Sequence, residues 1–446
     1  MVSLSVEKKY APDIPEKEIE EMRKTILDHS ATTISENIQK MQKMPNRPQG
    51  MQYFDEIATF FGKREKELRA EKEAGKKIVG TFCMFAPNEL IEAAGAIPVR
   101  VESGFYDATK LGDRICPVEV CPVARSTVGS AMINLSPYFE LCDVVVCPNT
   151  CDARKKMGEM LSDYKKVWTM DIPSVKDSPA GKIFWAETVK EFKKKLEGLT
   201  GTKITYKNLK SAIETREQAT KAFRRLDDLR KGDPVIMGRD GMLVDEMAWI
   251  DDINRWIEKT NDLCNELDKR VAEKTFVCPP ETPRVMLAGT PMIWPDNWKI
   301  PNLVEESKPQ GIIVCDEACS SGRYLYDPVG VDEWTIDGML TAVTEKYVLP
   351  CTCACFTSED GNEDRINLMK SMLKDFRVNG VIYHILRGCH LYSMEYARIK
   401  RALDKEKKPV YYLDTEYSRE DVGQMKVRVE AFLEMLQAAA EAEALY

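Results

Sequence analysis

A thiol set just past the end of a buried strand constrains this chain more than any other feature, and it recurs. Lys77–Thr81 is a short apolar run with Ile and Val, which reads as a strand buried on both faces. Cys83 follows it, and Pro87 then opens a helix (NELIEAAG) with Glu89 in the first turn and Gly95 as its stop. A helix N-terminus offers unpaired N–H groups and the positive end of the helix dipole, so it favours a thiolate nearby. Cys121 opens the next helical run (VARSTVGS), and Cys147 and Cys151 stand at and just after the end of CDVVV. Farther on, Cys315 and Cys319, the run Cys351, Cys353 and Cys355, and Cys389 again follow strand-like segments.

The order of segments predicts the architecture. Residues 1–75 read as a charged helical arm, with apolar residues at helical spacing in Glu16–His29 and Tyr53–Ala74. Residues 76–184 alternate β-branched runs (IVGTF, AIPVRV, CDVVVCP, KVWTMDIPS) with helices, the rhythm of βαβ units and a parallel sheet covered on both faces. Residues 185–283 lose the strands and read as amphipathic helices with solvated charged faces, closing on a linker (FVCPPETP) that holds Cys278. Residues 284–446 return to α/β, with RVMLAG, GIIVCDEAC, KYVLPC, GVIYHILRGC and PVYYLD as strands. The fold expected is α/β: two doubly wound parallel-sheet domains of Rossmann or flavodoxin type, a helical N-terminal arm and a helical insertion.

Composition narrows the chemistry. A net charge of −8 over 446 residues argues against nucleic acid as the main partner, since phosphate binding needs clustered Lys and Arg. No run reaches the length of a membrane span and the N-terminus is too charged for a signal peptide, so a cytoplasmic protein is expected. Fourteen cysteines in such a chain do not suggest a disulfide framework. Cys264 and Cys142 read as core residues. With only three histidines, His29, His384 and His390, any metal site is mainly thiolate, which points to iron–sulfur or zinc. In doubly wound sheets ligands bind beyond the carboxyl ends of the strands, where most of the non-helical cysteines fall in both halves. The C-x₃-C pairs leave zinc open. Neither GxxxxGK[ST] nor GxGxxG occurs, so any ATP in this chemistry belongs to another protein.

The stretches GTFCMFAPNELIEAAGAIPVRV, CPVARSTVG, NTCDARKKM, EACSSGR and GVIYHILRGCHLYSMEYARIKRAL, with the ending VRVEAFLEML, resemble the 2-hydroxyacyl-CoA dehydratase and benzoyl-CoA reductase family over about 77–175 and 284–437. Within it the resemblance is to the double-cubane cluster proteins. Cys83, Cys121 and Cys389 match the three positions that hold one [4Fe–4S] cluster in dehydratase subunits. Cys151, Cys319 and one cysteine of the CTCAC run, taken as Cys353, match the positions that the double-cubane branch adds. The resemblance implies six cysteines holding an [8Fe–9S] double-cubane cluster, with Cys116, Cys147 and Cys315 as nearby extras. It also implies a homodimer, anaerobic chemistry, a small-molecule substrate, and a separate ATP-hydrolysing [4Fe–4S] activator protein that delivers low-potential electrons.

The function expected is an iron–sulfur reductase. His390, beside Cys389, and Glu317, close to Cys319, are the candidate proton donors, and Arg387 is a candidate to offset cluster charge. One alternative is a subunit of a 2-hydroxyacyl-CoA dehydratase or acyl-CoA reductase with a single [4Fe–4S] cluster, for which the cysteines beyond Cys83, Cys121 and Cys389 are surplus. A second alternative is a zinc-stabilised scaffold or cluster carrier.

Overall fold

The computed structural model describes residues 8–59, 62–319, 321–358 and 362–444. Two four-stranded sheets organise it, and every strand pair in them is parallel. The first contains β1 (Ile78–Thr81), β2 (Ile97–Arg100), β3 (Val144–Pro148) and β4 (Val167–Met170), in the order β2-β1-β3-β4. The second contains β5 (Arg284–Gly289), β6 (Ile312–Ala318), β7 (Gly380–Leu386) and β8 (Val410–Thr415), in the order β6-β5-β7-β8. The strand order is thus the same in both lobes. In each, the chain steps to one side of its first strand and then back across it, leaving a switch point between β1 and β3 and between β5 and β7.

The central strands are mostly apolar because helices cover both of their faces, with Thr81, Arg284 and His384 as buried exceptions. All residues of β1, β3, β5 and β7 are buried, as continuous Val/Ile runs in a parallel sheet require. Each such side chain contributes about 1.5–3 kcal/mol by leaving water. The outer strands β4 and β8 keep an exposed residue each, Thr169 and Asp414.

One sequence expectation is corrected here and two are sharpened. KYVLPC is not a strand: Lys346–Val348 finishes the helix Ile336–Val348, whose buried Met339, Ala342, Val343 and Tyr347 recur at helical spacing. Thr335 caps that helix, its Oγ1 accepting from the Gly338 N–H at 3.0 Å. Cys278 lies in the linker between the helix Ile253–Glu273 and β5, and packs there, buried, with Val277 and Met237. The insertion is not solvated throughout. Between the long helices Tyr206–Lys231 and Ile253–Glu273 runs a separate helix, Gly238–Met247, every residue of which is buried. A Cβ on Gly238 would lie 1.9 Å from the Ile313 carbonyl oxygen, so only glycine lets this helix start against β6. Glu305 fixes the approach by accepting from the Gly238 and Ile313 N–H groups at 2.7 and 3.1 Å.

The lobes meet along a polar seam. Glu89 of the first is paired with Lys346 at 2.7 Å and accepts from Tyr347 Oη at 2.6 Å. Lys176 donates to the Leu349 and Cys351 carbonyls at 3.0 and 2.8 Å. The helix Glu16–Gln42 of the arm reaches the second lobe through Asn37, which donates to the Pro295 carbonyl at 2.9 Å. Among the described residues no helix is long and apolar enough to cross a membrane.

Candidate thiol site

At the carboxyl ends of the strands the lobes enclose a cavity of about 290 Å³. Cys83, Cys121, Cys151, Cys319, Cys353, Cys355 and Cys389 all line it. The six cysteines singled out from the sequence are therefore brought together, with one more. Of the CTCAC run, Cys353 and Cys355 face this cavity, whereas Cys351 faces a neighbouring one. Cys116, Cys147 and Cys315 line neither cavity. Cys147 donates to the Arg154 carbonyl at 3.4 Å and Cys116 approaches Met160 Sδ at 3.7 Å, so both are packing residues.

Local structure explains how the thiols are aimed. Cys121, Cys151 and Cys389 are the N-cap residues of the helices Pro122–Met132, Asp152–Leu161 and His390–Lys405. Cys151 Sγ accepts from the Arg154 N–H at 3.4 Å, a sulfur in the place of a capping oxygen. Cys83 does not sit at a helix start, since the helix after it begins at Asn88. It is turned instead by a left-handed backbone (φ 58°), uncommon for a residue with a side chain and found where a site over-determines it. Glu102 secures that turn by accepting from the Cys83 N–H at 3.1 Å.

Burial and mutual contacts set the protonation of these thiols. Burial pushes the Cys83 and Cys121 thiols up to about 11, with the Arg154 guanidinium opposing it for Cys83. Burial also raises Cys389. Cys353 goes the other way: Cys319 and Cys355 donate S–H hydrogen bonds to it and Arg323 lies near, holding its thiol well below the ordinary range. Buried neutral thiols of this kind give up their protons when a metal takes their place.

Arg154 is the site residue that sequence reasoning missed. It lines the cavity and pairs with Glu102, which in turn accepts from Arg100 Nε at 2.6 Å. Burial alone would raise Glu102, but Arg100 and Arg154 outweigh it and hold its carboxyl at about 2. Among the described residues Arg154 Nη1 has no hydrogen-bond partner although buried, so a donor is left over in the neighbourhood of Cys83 and Cys151. The only hint in the sequence was the Arg in NTCDARKKM, one helical turn after Cys151. Arg387, by contrast, is 62% exposed and pairs with Asp414 and Glu416 on the surface, outside the cavity lining.

The two candidate proton donors part company. His390 lines the thiol cavity from an exposed position at the head of its helix. Glu317 does not line it. Buried, it pairs with Arg323 and, at 2.7 Å, with Arg365, and it faces the neighbouring cavity. His29 lies apart on the surface with Asp107, 3.0 Å away.

Two doubly wound α/β lobes that bring cysteines from both halves to one cavity define the class of protein by its fold. The family model for the 2-hydroxyglutaryl-CoA dehydratase D-component matches residues 83–436, and the chain belongs to that family. YjiM of Escherichia coli (strain K12), provisionally named a dehydratase subunit, is 30% identical over 82% of this chain and 93% of its own length. The (R)-phenyllactyl-CoA dehydratase beta subunit of Clostridium sporogenes is 23% identical over 83% of this chain and 94% of its own. A benzoyl-CoA reductase subunit of Thauera aromatica is 23% identical over 80% and 89%. These relatives are dehydratase and reductase subunits, the kind of protein to which this chain is similar.

Proposed function

We propose that the chain is an iron–sulfur reductase in which Cys83, Cys121, Cys151, Cys319, Cys353 and Cys389 hold an [8Fe–9S] double-cubane cluster. A separate ATP-hydrolysing [4Fe–4S] protein supplies its electrons, and a small molecule is reduced. The observation that carries this reading is the set of seven thiols on one cavity of about 290 Å³, more than a single cubane needs. When bound, such a group stores and passes on low-potential electrons.

The residues then divide the work. The six thiolates anchor the group from both lobes, and three of them gain from helix N-termini. Arg154, charge-coupled to Cys83 and Cys151, offsets the negative charge of the sulfurs. His390, at the rim, delivers protons from solvent. Glu317 acts as a positioning residue that holds Arg323 near Cys353. Cys355 is a seventh thiol beside Cys353, close enough to exchange a hydrogen bond with it.

The second reading, a dehydratase or acyl-CoA reductase subunit with one [4Fe–4S] cluster on Cys83, Cys121 and Cys389, draws its support from the names of the relatives. Iron and acid-labile sulfide per chain on protein purified without oxygen separate the two. About eight iron and nine sulfide support the double-cubane reading, and about four of each support the single cluster. Zinc without sulfide overturns both.

A further inference from the structure

Behind the thiols lies a second cavity of about 260 Å³, and its charges do not balance. Asp227 and Arg230 enter it from the helix Tyr206–Lys231, Asp245 from the buried helix Gly238–Met247, and Asp316 from β6. The other bases in its wall are engaged: Arg323 with Glu317, and Lys346 with Glu89. With Asp327, which also lines the cavity and lies 4.0 Å from Arg224, four carboxylates thus face one guanidinium, and Arg230 meets Asp227 and Asp245 only at 4.0 Å. Among the described residues, Asp245 Oδ1, Asp316 Oδ1 and Tyr324 Oη make no hydrogen bond, and neither do Arg230 Nε and Nη2 or Arg323 Nη1. Asp245 is 2% exposed and Tyr324 5%. Buried polar atoms left unpaired in this way are costly, so a cavity lined by several implies a hydrogen-bonding partner, and the excess of carboxylates favours a positively charged one.

The walls say what kind. Phe223 and Tyr326 pack with ring centroids 5.7 Å apart, and Tyr324 lies over Trp249 at 3.6 Å. Carboxylates combined with aromatic faces suit an organic cation, which donates hydrogen bonds to the former and is attracted by the latter. A bare metal ion fits poorly, because the carboxylates do not converge on one point. An anion is repelled by the surplus of acid.

We propose that this cavity binds a small organic ammonium or amidinium group, which donates to Asp245 Oδ1, Asp316 Oδ1 and the Tyr324 hydroxyl oxygen. The site is contiguous with the thiols: Met84, Ala318 and Thr352 in its wall are the chain neighbours of Cys83, Cys319 and Cys353. The binding claim stands whatever those thiols hold, so the iron count above and the test below can fail separately.

Isothermal titration of the full chain, purified without oxygen, tests it with methylammonium, butylammonium, guanidinium and 1,4-diaminobutane. Acetamide and acetate at equal ionic strength are the controls. One saturable site for at least one cation is expected, with neither control binding. Asp245→Asn should weaken it at least tenfold with iron content unchanged. If that variant does not fold, Asp316→Asn and Tyr324→Phe carry the test, each expected to weaken binding severalfold. No cation binding, equal binding by the controls, or unchanged affinity in the folded variants overturns the proposal.

Discussion

At the residue scale, single positions decide whether the thiols can meet. Gly388 precedes Cys389 with φ 83°, and a Cβ there would lie 2.3 Å from the Glu119 carbonyl oxygen and 2.8 Å from Cys121 N. This contact brings the Cys121 and Cys389 loops of opposite lobes together. Gly388→Ala is expected to destabilise the protein by about 2 kcal/mol or more through left-handed strain and overlap. It should also lower iron per chain to below half that of the parent, read by thermal unfolding and iron assay. His384 shows a different constraint. It is wholly buried on β7 with Nδ1 3.0 Å from Thr290 Oγ1, and burial pushes its imidazole down to about 3. In the unfolded chain it protonates near the ordinary 6.5, so below that pH the unfolded state binds the extra proton. The stabilising contribution is complete above about pH 6.5 and falls by about 1.4 kcal/mol per unit as pH drops toward 3. His384→Asn should flatten the acid side of a curve of unfolding free energy against pH. An unchanged slope would show that other groups set it.

At the scale of elements, the recurring device is a helix whose cap is a cysteine. Cys151 both caps Asp152–Leu161 and, in the proposed function, binds iron. Serine keeps the cap and loses the thiolate, whereas alanine loses both. Cys151→Ala is expected to be less stable than Cys151→Ser by about 1 kcal/mol, while both lose about half the iron. Iron retained in both variants would remove Cys151 from the ligand set. The sequence made these helices legible, because proline, a cap residue and apolar periodicity are local signals. It misled at KYVLPC, where β-branched and aromatic residues finish a helix that began at Ile336. A short apolar run does not reveal its period by itself.

At the scale of the whole molecule, the site exists only because two lobes of the same strand order face each other. Glu89 and Lys346 clasp that junction from within, with side chains 0% and 8% exposed. Burial would raise the Glu89 carboxyl, but Lys346 and the other groups around it outweigh this and lower it. Glu89→Ala leaves Lys346 buried without its partner, which costs about 3–5 kcal/mol. Urea unfolding should show that loss, and thiol-reactive probes should reach Cys83 and Cys353 faster as the lobes loosen. A stability loss under about 1 kcal/mol would mean that the seam is held elsewhere.

The residues alone determined the strands, the helix starts and the thiols at strand ends, because hydropathy period, proline and glycine act within a few residues of themselves. They could not choose among Cys351, Cys353 and Cys355. Cys351 faces one cavity and Cys353 and Cys355 the other, and that division depends on how the two lobes meet. Arg154 was hidden among the charges of an ordinary amphipathic helix. The acidic cavity was invisible for the same reason. Asp227, Asp245 and Asp316 come from two helices and a strand, and only the burial of Gly238–Met247 against β6 turns three separate carboxylates into one unbalanced field.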